Sequence, residues 1–186
     1  MVNRIILQEK IYGGTVESRL AFGLLLFRKL GKLLAELTGI SVALDRMRTQ
    51  EKNLATHMQD LLLGRVCSSC AVSDSGGCCS RSMAGETDSL TILINLLAGV
   101  DVAQVNYSPA ECCYLSAATG CIFTFKPIFC LNYNCHRIKV QVNGSGLRQL
   151  EKLTAVLLGS QYEVEMLLFR LLITNESLQK KVTSGD

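Results

Sequence analysis

Between Leu26 and Leu61 the chain steps alternately by four and three residues through Leu26, Leu30, Leu33, Leu37, Ile40, Leu44, Met47, Glu51, Leu54, Met58 and Leu61, and ten of these eleven side chains are apolar. No other feature restricts the fold as much. A 3.5-residue period sustained over five heptads marks one face of a long helix. That face has to be covered, because soluble chains tolerate only a few hundred Å² of contiguous exposed apolar surface. Leu30, Leu37, Leu44, Glu51 and Met58 take the a positions of the seam and the others take d. At about 1.5 Å per residue the helix would run roughly 50 Å.

The pattern predicts a coiled-coil dimer, homomeric or heteromeric, whose interface is the ten apolar seam residues. Few complementary charges flank the seam, so neither the partner nor the strand order is encoded there. The same faces also suit a helical hairpin folded back on its own chain. Phe27, Leu34 and Leu62 widen the stripe beyond what two strands need. Gly31 and Gly39 each weaken a helix interior by about 1 kcal/mol, so the stretch LTGIS is a point where it can break.

The rest of the chain divides by composition. Residues 1–64 form the helical segment. Residues 65–86 contain CSSCAVSDSGGCC, rich in Ser, Gly and Cys without periodicity, which describes a linker. Residues 87–182 read as a head. Thr87 or Asp88 can cap a helix over SLTILINLLAG, and Gly99 suits its end. Strand-like runs follow over Val100–Ser108, Glu111–Thr119, Cys121–Phe129 and Leu131–Asn143, the last alternating through Ile138, Val140 and Val142. From Leu147 to about Lys180 the chain reads as two helices divided near Gly159 and Ser160. The expected fold class is therefore α+β: a long N-terminal coiled-coil helix, then a small antiparallel sheet covered by helices.

Composition bounds the function. With 48% hydrophobic and 19% charged residues in 186, the chain can bury a core. A net charge of +3 is too mild to argue for direct nucleic-acid binding. Arg137, Lys139 and Arg148 beside Tyr133 read as a solvated face, since single-strand binders pair such charge with several stacking aromatics. The segment Leu20–Ile40 is interrupted by Arg28, Lys29, Lys32 and Glu36, so no membrane span is expected. The opening residues do not resemble a secretory signal, and nine cysteines is an odd number, so an intracellular, reducing location is expected.

Chemical constellations are sparse. Cys67 and Cys70 have the spacing of half a zinc site, which Cys135 and His136 could complete, although nothing in the spacing demands it. Cys113, Cys121 and Cys130 sit among apolar neighbours as small core residues. His57 falls at a g position, facing solvent. Cys135 and His136 are neighbours that would point to opposite faces of a strand, and Glu163 and Glu165 read as surface charge. The NGSG stretch lacks the Lys-Ser/Thr of a phosphate loop. No catalytic role and no cofactor are expected.

The stretches LTILINLLAGVDVAQVNYS, CYLSAATGCIFTFKPI and GLRQLEKLTAVLLG, placed after a coiled-coil segment, resemble in order and layout the kinetochore proteins built on RWD-type domains. These include the outer-kinetochore Spc subunits and the monopolin coiled-coil subunit. The resemblance implies a non-catalytic structural subunit that dimerises through the coil and docks other protein subunits with its head. It implies a place in chromosome segregation, with nucleus or chromosome favoured over cytoplasm. Two alternatives are a vesicle-tethering adaptor and a compact monomeric α+β domain that holds a small ligand or zinc through Cys67, Cys70, Cys135 and His136.

Overall fold

The computed structural model describes residues 2–66, 81–102, 112–116 and 120–183. It begins with α1 (Val2–Tyr12), α2 (Val16–Glu36) and α3 (Thr38–Asp60). Thr15 caps α2 by accepting from the Ser18 N–H at 3.2 Å. The LTGIS stretch does break the helix: Leu37 has ψ 112°, which ends α2 and starts α3 in a new direction. After α4 (Arg81–Ala84) comes α5 (Ser89–Leu97), capped by Asp88 at 2.7 Å from the Thr91 N–H. Gly99, at φ 86°, follows that helix, a conformation other residues reach only with strain.

Beyond this point the expected sheet is not what forms. Two antiparallel strands of two residues each, β1 (Leu115–Ser116) and β2 (Gly120–Cys121), are the only sheet among the described residues. The α+β expectation is corrected to an all-helical fold. The layout on which the resemblance to RWD-type subunits was drawn is not seen in the described residues. Most of the run Val100–Ser108 lies outside them.

The physical reasons are local. Ile138, Val140 and Val142 alternate as a strand would, but Ile138 and Val142 are also four apart. The chain uses that spacing in α7 (His136–Gln141), where the Val142 N–H donates to the Ile138 carbonyl and both side chains are buried. Val140 is left 71% exposed. Ahead of it, Pro127 at φ −52° ends the extended run and starts α6 (Ile128–Asn132). The expected division at Gly159 is also absent: α8 (Gly144–Thr174) runs unbroken for 31 residues, about 46 Å. The break falls at Asn175 instead, before α9 (Glu176–Thr183).

Packing is pairwise. α3 lies along α8, α2 lies against α5, and α9 returns to touch both α2 and α8. One hydrophobic core draws Leu7 and Leu26 from the N-terminal helices, Leu93 from α5, Leu168 from α8 and Val182 from α9. It thus joins side chains from both the 1–64 and the 87–182 segments. A smaller cluster forms on the other side of α5, where Ile92 meets Tyr114 and Phe123 of the hairpin. With side chains in both clusters, α5 is the central element.

Two contacts fix α5. Gly23 lets α2 approach so closely that a Cβ there would stand 2.6 Å from Cγ2 of Ile92. Asn95, fully buried, brackets the backbone of Phe125: its Nδ2 donates to the Phe125 carbonyl at 2.8 Å, and its Oδ1 accepts from the Phe125 N–H at 3.0 Å. A non-helical bend outside any sheet thereby satisfies its buried polar groups.

Candidate interaction surface

Seam residues come first, because the heptad pattern predicts them as the interface. Leu26, Leu30, Ile40, Leu44, Met47 and Leu54 are buried in the chain's own core. Leu37, Met58 and Leu61 are partly buried against it, and Leu33 is exposed. Glu51, the one polar position in the seam, opens onto a cleft of about 370 Å³ between α3, α8 and the segment 124–131. Leu54, Met58, Leu131 and Leu157 supply its apolar wall, and Lys126 also lines it. Burial pushes the Glu51 carboxyl up from its ordinary value, and Lys126 draws it partly back.

The outer side of this region is unusual. None of the five residues of α6 is buried. Ile128 is 66% exposed, Phe129 46% and Tyr133 50%. Phe129 and Tyr133, four apart, stack with ring centroids 5.5 Å apart and planes 13° from parallel. The Gln161 side-chain amide donates to the Lys126 carbonyl at 2.9 Å, pinning the start of α6 to α8. Three residues beyond α6, α7 is anchored inward by Ile138 and turns Val140, Arg137 and Lys139 to solvent. Large apolar side chains on this face cost apolar exposure that α8 does not relieve.

Its charge is one-sided. From Cys112 to Leu150 the sequence contains no Asp or Glu, but it contains Lys126, Arg137, Lys139 and Arg148. Lys126 lines the same cleft as Glu51 and its charge acts on that carboxyl. Arg137, Lys139 and Arg148 form no ion pair with a described residue. The acid-free run was legible in the sequence; the exposure of Ile128, Phe129 and Val140 was not, because strands were expected there.

Other sequence candidates are dispersed or inert. Cys67 and Cys70 lie outside the described residues. Cys135 packs partly against the core, and His136 is exposed at the start of α7. Among the described residues no group of three or more His, Cys, Asp or Glu is placed to hold a metal ion. Burial raises the thiols of Cys112, Cys113 and Cys121, that of Cys113 to about 11, which makes them poor nucleophiles.

Three side chains expected at the surface have partners. His57 Nε2 donates to the Gly146 carbonyl at 3.0 Å, tying α3 to the start of α8. Glu163 pairs with Arg46 at 2.7 Å. Glu165 accepts from the Tyr12 hydroxyl at 3.2 Å.

The described residues thus form an all-helical body in which the short helices α6 and α7 expose Ile128, Phe129 and Val140 together with Arg137 and Lys139. No helix among the described residues is long and apolar enough to cross a membrane. No known protein family, curated protein or solved structure matches the chain.

Proposed function

We propose that this chain is a non-catalytic interaction subunit whose helical body is a rigid mount for the α6–α7 face. The observation that carries the reading is the exposure of Ile128, Phe129, Tyr133 and Val140 within one short stretch, where Phe129 and Tyr133 stack on each other; other large apolar side chains, Ile5 and Tyr162 among them, are exposed singly or in smaller groups elsewhere. Exposed apolar clusters of this kind mark sites of association. In this proposal partners meet the surface rather than the Leu26–Leu61 seam, since a partner on the seam would have to displace α8 from α3.

Site-specific photo-crosslinking in cells tests it. A photoreactive residue at Tyr133 is expected to give a discrete protein adduct, and the same residue at Glu151, exposed on α8, is expected to give none. Equal adducts from both positions, or none from either, would sink the reading.

A further inference from the structure

We infer that the α6–α7 face binds an acidic peptide segment that carries large apolar side chains. The inference rests on the interaction-subunit reading and adds the chemistry of the partner. Two properties of the face coincide. Its apolar part is aromatic and aliphatic: Phe129 and Tyr133 stack on each other, and Ile128 and Val140 are exposed in the same stretch of chain. Such groups give a partner's Leu or Phe a rigid contact area at small entropy cost.

The exposed charges of the two short helices, Arg137 and Lys139, are both cationic. Arg137 and Lys139 are exposed on α7, no acidic residue lies within the surrounding Cys112–Leu150 stretch, and neither cation pairs with a described residue. A partner that covered the apolar side chains with a neutral or basic segment would leave these charges unmatched at the rim. An acidic one is steered toward them and held in register.

The stack itself argues against single-stranded nucleic acid. Base stacking needs open ring faces, and Phe129 and Tyr133 spend one face each on the other at 5.5 Å. The fit is to a short extended or helical segment with acidic residues interleaved among apolar ones.

The test selects displayed random 16-residue peptides against the full-length chain at low ionic strength. Synthetic versions of the enriched peptides are then titrated by fluorescence anisotropy. Enriched sequences are expected to combine Asp or Glu with at least two large apolar residues, and to lose affinity as salt is raised. Affinity should fall at least tenfold in F129A/Y133A and, separately, in R137E/K139E. All four side chains are exposed, so both variants should keep the parent's circular dichroism and melting temperature.

Enrichment of peptides without acidic residues would overturn the inference. Retention of full affinity by both variants would overturn the inference, because the peptide would then bind elsewhere; adduct formation at Tyr133 decides the interaction-subunit reading separately. If no peptide is enriched, the inference falls, while a discrete adduct at Tyr133 would still support a folded partner. Tighter binding of a single-stranded oligonucleotide or of phosphatidylserine vesicles, lost in the same variants, would overturn the peptide as occupant.

Discussion

At the scale of single residues, the most consequential groups are carboxylates moved out of water. Glu165 receives the Tyr12 hydroxyl and lies in the field of Asp88. Desolvation raises the Glu165 carboxyl, and the nearby Asp88 charge raises it further, against the opposing bond from Tyr12. Asp88 is likewise raised by burial, although its cap bonds to α5 and the Arg19 charge pull the other way. Tyr12 is raised by burial first and by both acids next. The sign of the linkage follows from these directions. A carboxyl raised in the folded state binds its proton more tightly when folded, so its stabilising share is present below its unfolded value and lost as pH rises through the folded one. Glu165→Gln removes the charge and keeps an oxygen to accept from Tyr12. At pH 7 the variant should exceed the parent in stability by under about 1 kcal/mol, the scale of partly solvated charge interactions. The gap should close as pH falls to about 4, near the ordinary glutamate value. Urea titrations at both pH values check this; a variant weaker than its parent at pH 7 would mean that the Tyr12 bond to the ionised acid outweighs its desolvation.

At the scale of elements, α8 gives the sharpest test of what a glycine does in context. Gly159 is exposed in the middle of the helix, and a Cβ there would meet open space. Gly159→Ala should stabilise the chain by about 0.5–1 kcal/mol, through helix propensity and a less free unfolded chain. A higher urea midpoint is the expected reading, and a lower one would show that the helix bends at this position. The sequence suggested a division here because Gly and Ser are common punctuation, yet Ser160 is buried and the apolar face continues through Leu157, Val164 and Leu168. Legibility varied in the same way elsewhere. The Asp88 cap, the Gly99 stop and the LTGIS break could be read locally, since each depends on one or two residues and its immediate neighbours. Residues 131–143 could not, because β-branched residues at both i+2 and i+4 spacing satisfy either period, and only packing of Ile138 and Val142 onto the core decides between them. For the same reason the basic residues Arg137, Lys139 and Arg148 could be read from the sequence, whereas the exposure of Ile128, Phe129 and Val140 near them could not.

At the scale of the whole molecule, the heptad pattern and the structure make different claims about equal-looking residues. In a dimeric coiled coil Leu33 and Leu44 are both seam positions, and an aspartate at either should break association while leaving a separate head folded. Here Leu44 is 2% exposed, inside a core that also contains Leu150 and Leu157 of α8, whereas Leu33 is 39% exposed. A periodic stripe records only that a face is covered; a 3.5 period cannot specify whether the cover is another chain or this chain's own distant helix. Leu44→Asp would place an unpaired carboxylate in a core with no donor to receive it, at a cost of several kcal/mol. Against a total stability of about 5–15 kcal/mol, that is enough to melt much of the fold at ambient temperature. Leu33→Asp sets an exposed leucine in water and should cost about 1 kcal/mol or less. Far-ultraviolet circular dichroism with thermal melts, read beside sedimentation mass, separates the cases. Loss of helical signal in L44D with a near-parental melt in L33D is the outcome expected from the single core. If both variants instead keep a folded signal and both lower the mass, the seam joins two chains, and α8 is not its cover in solution.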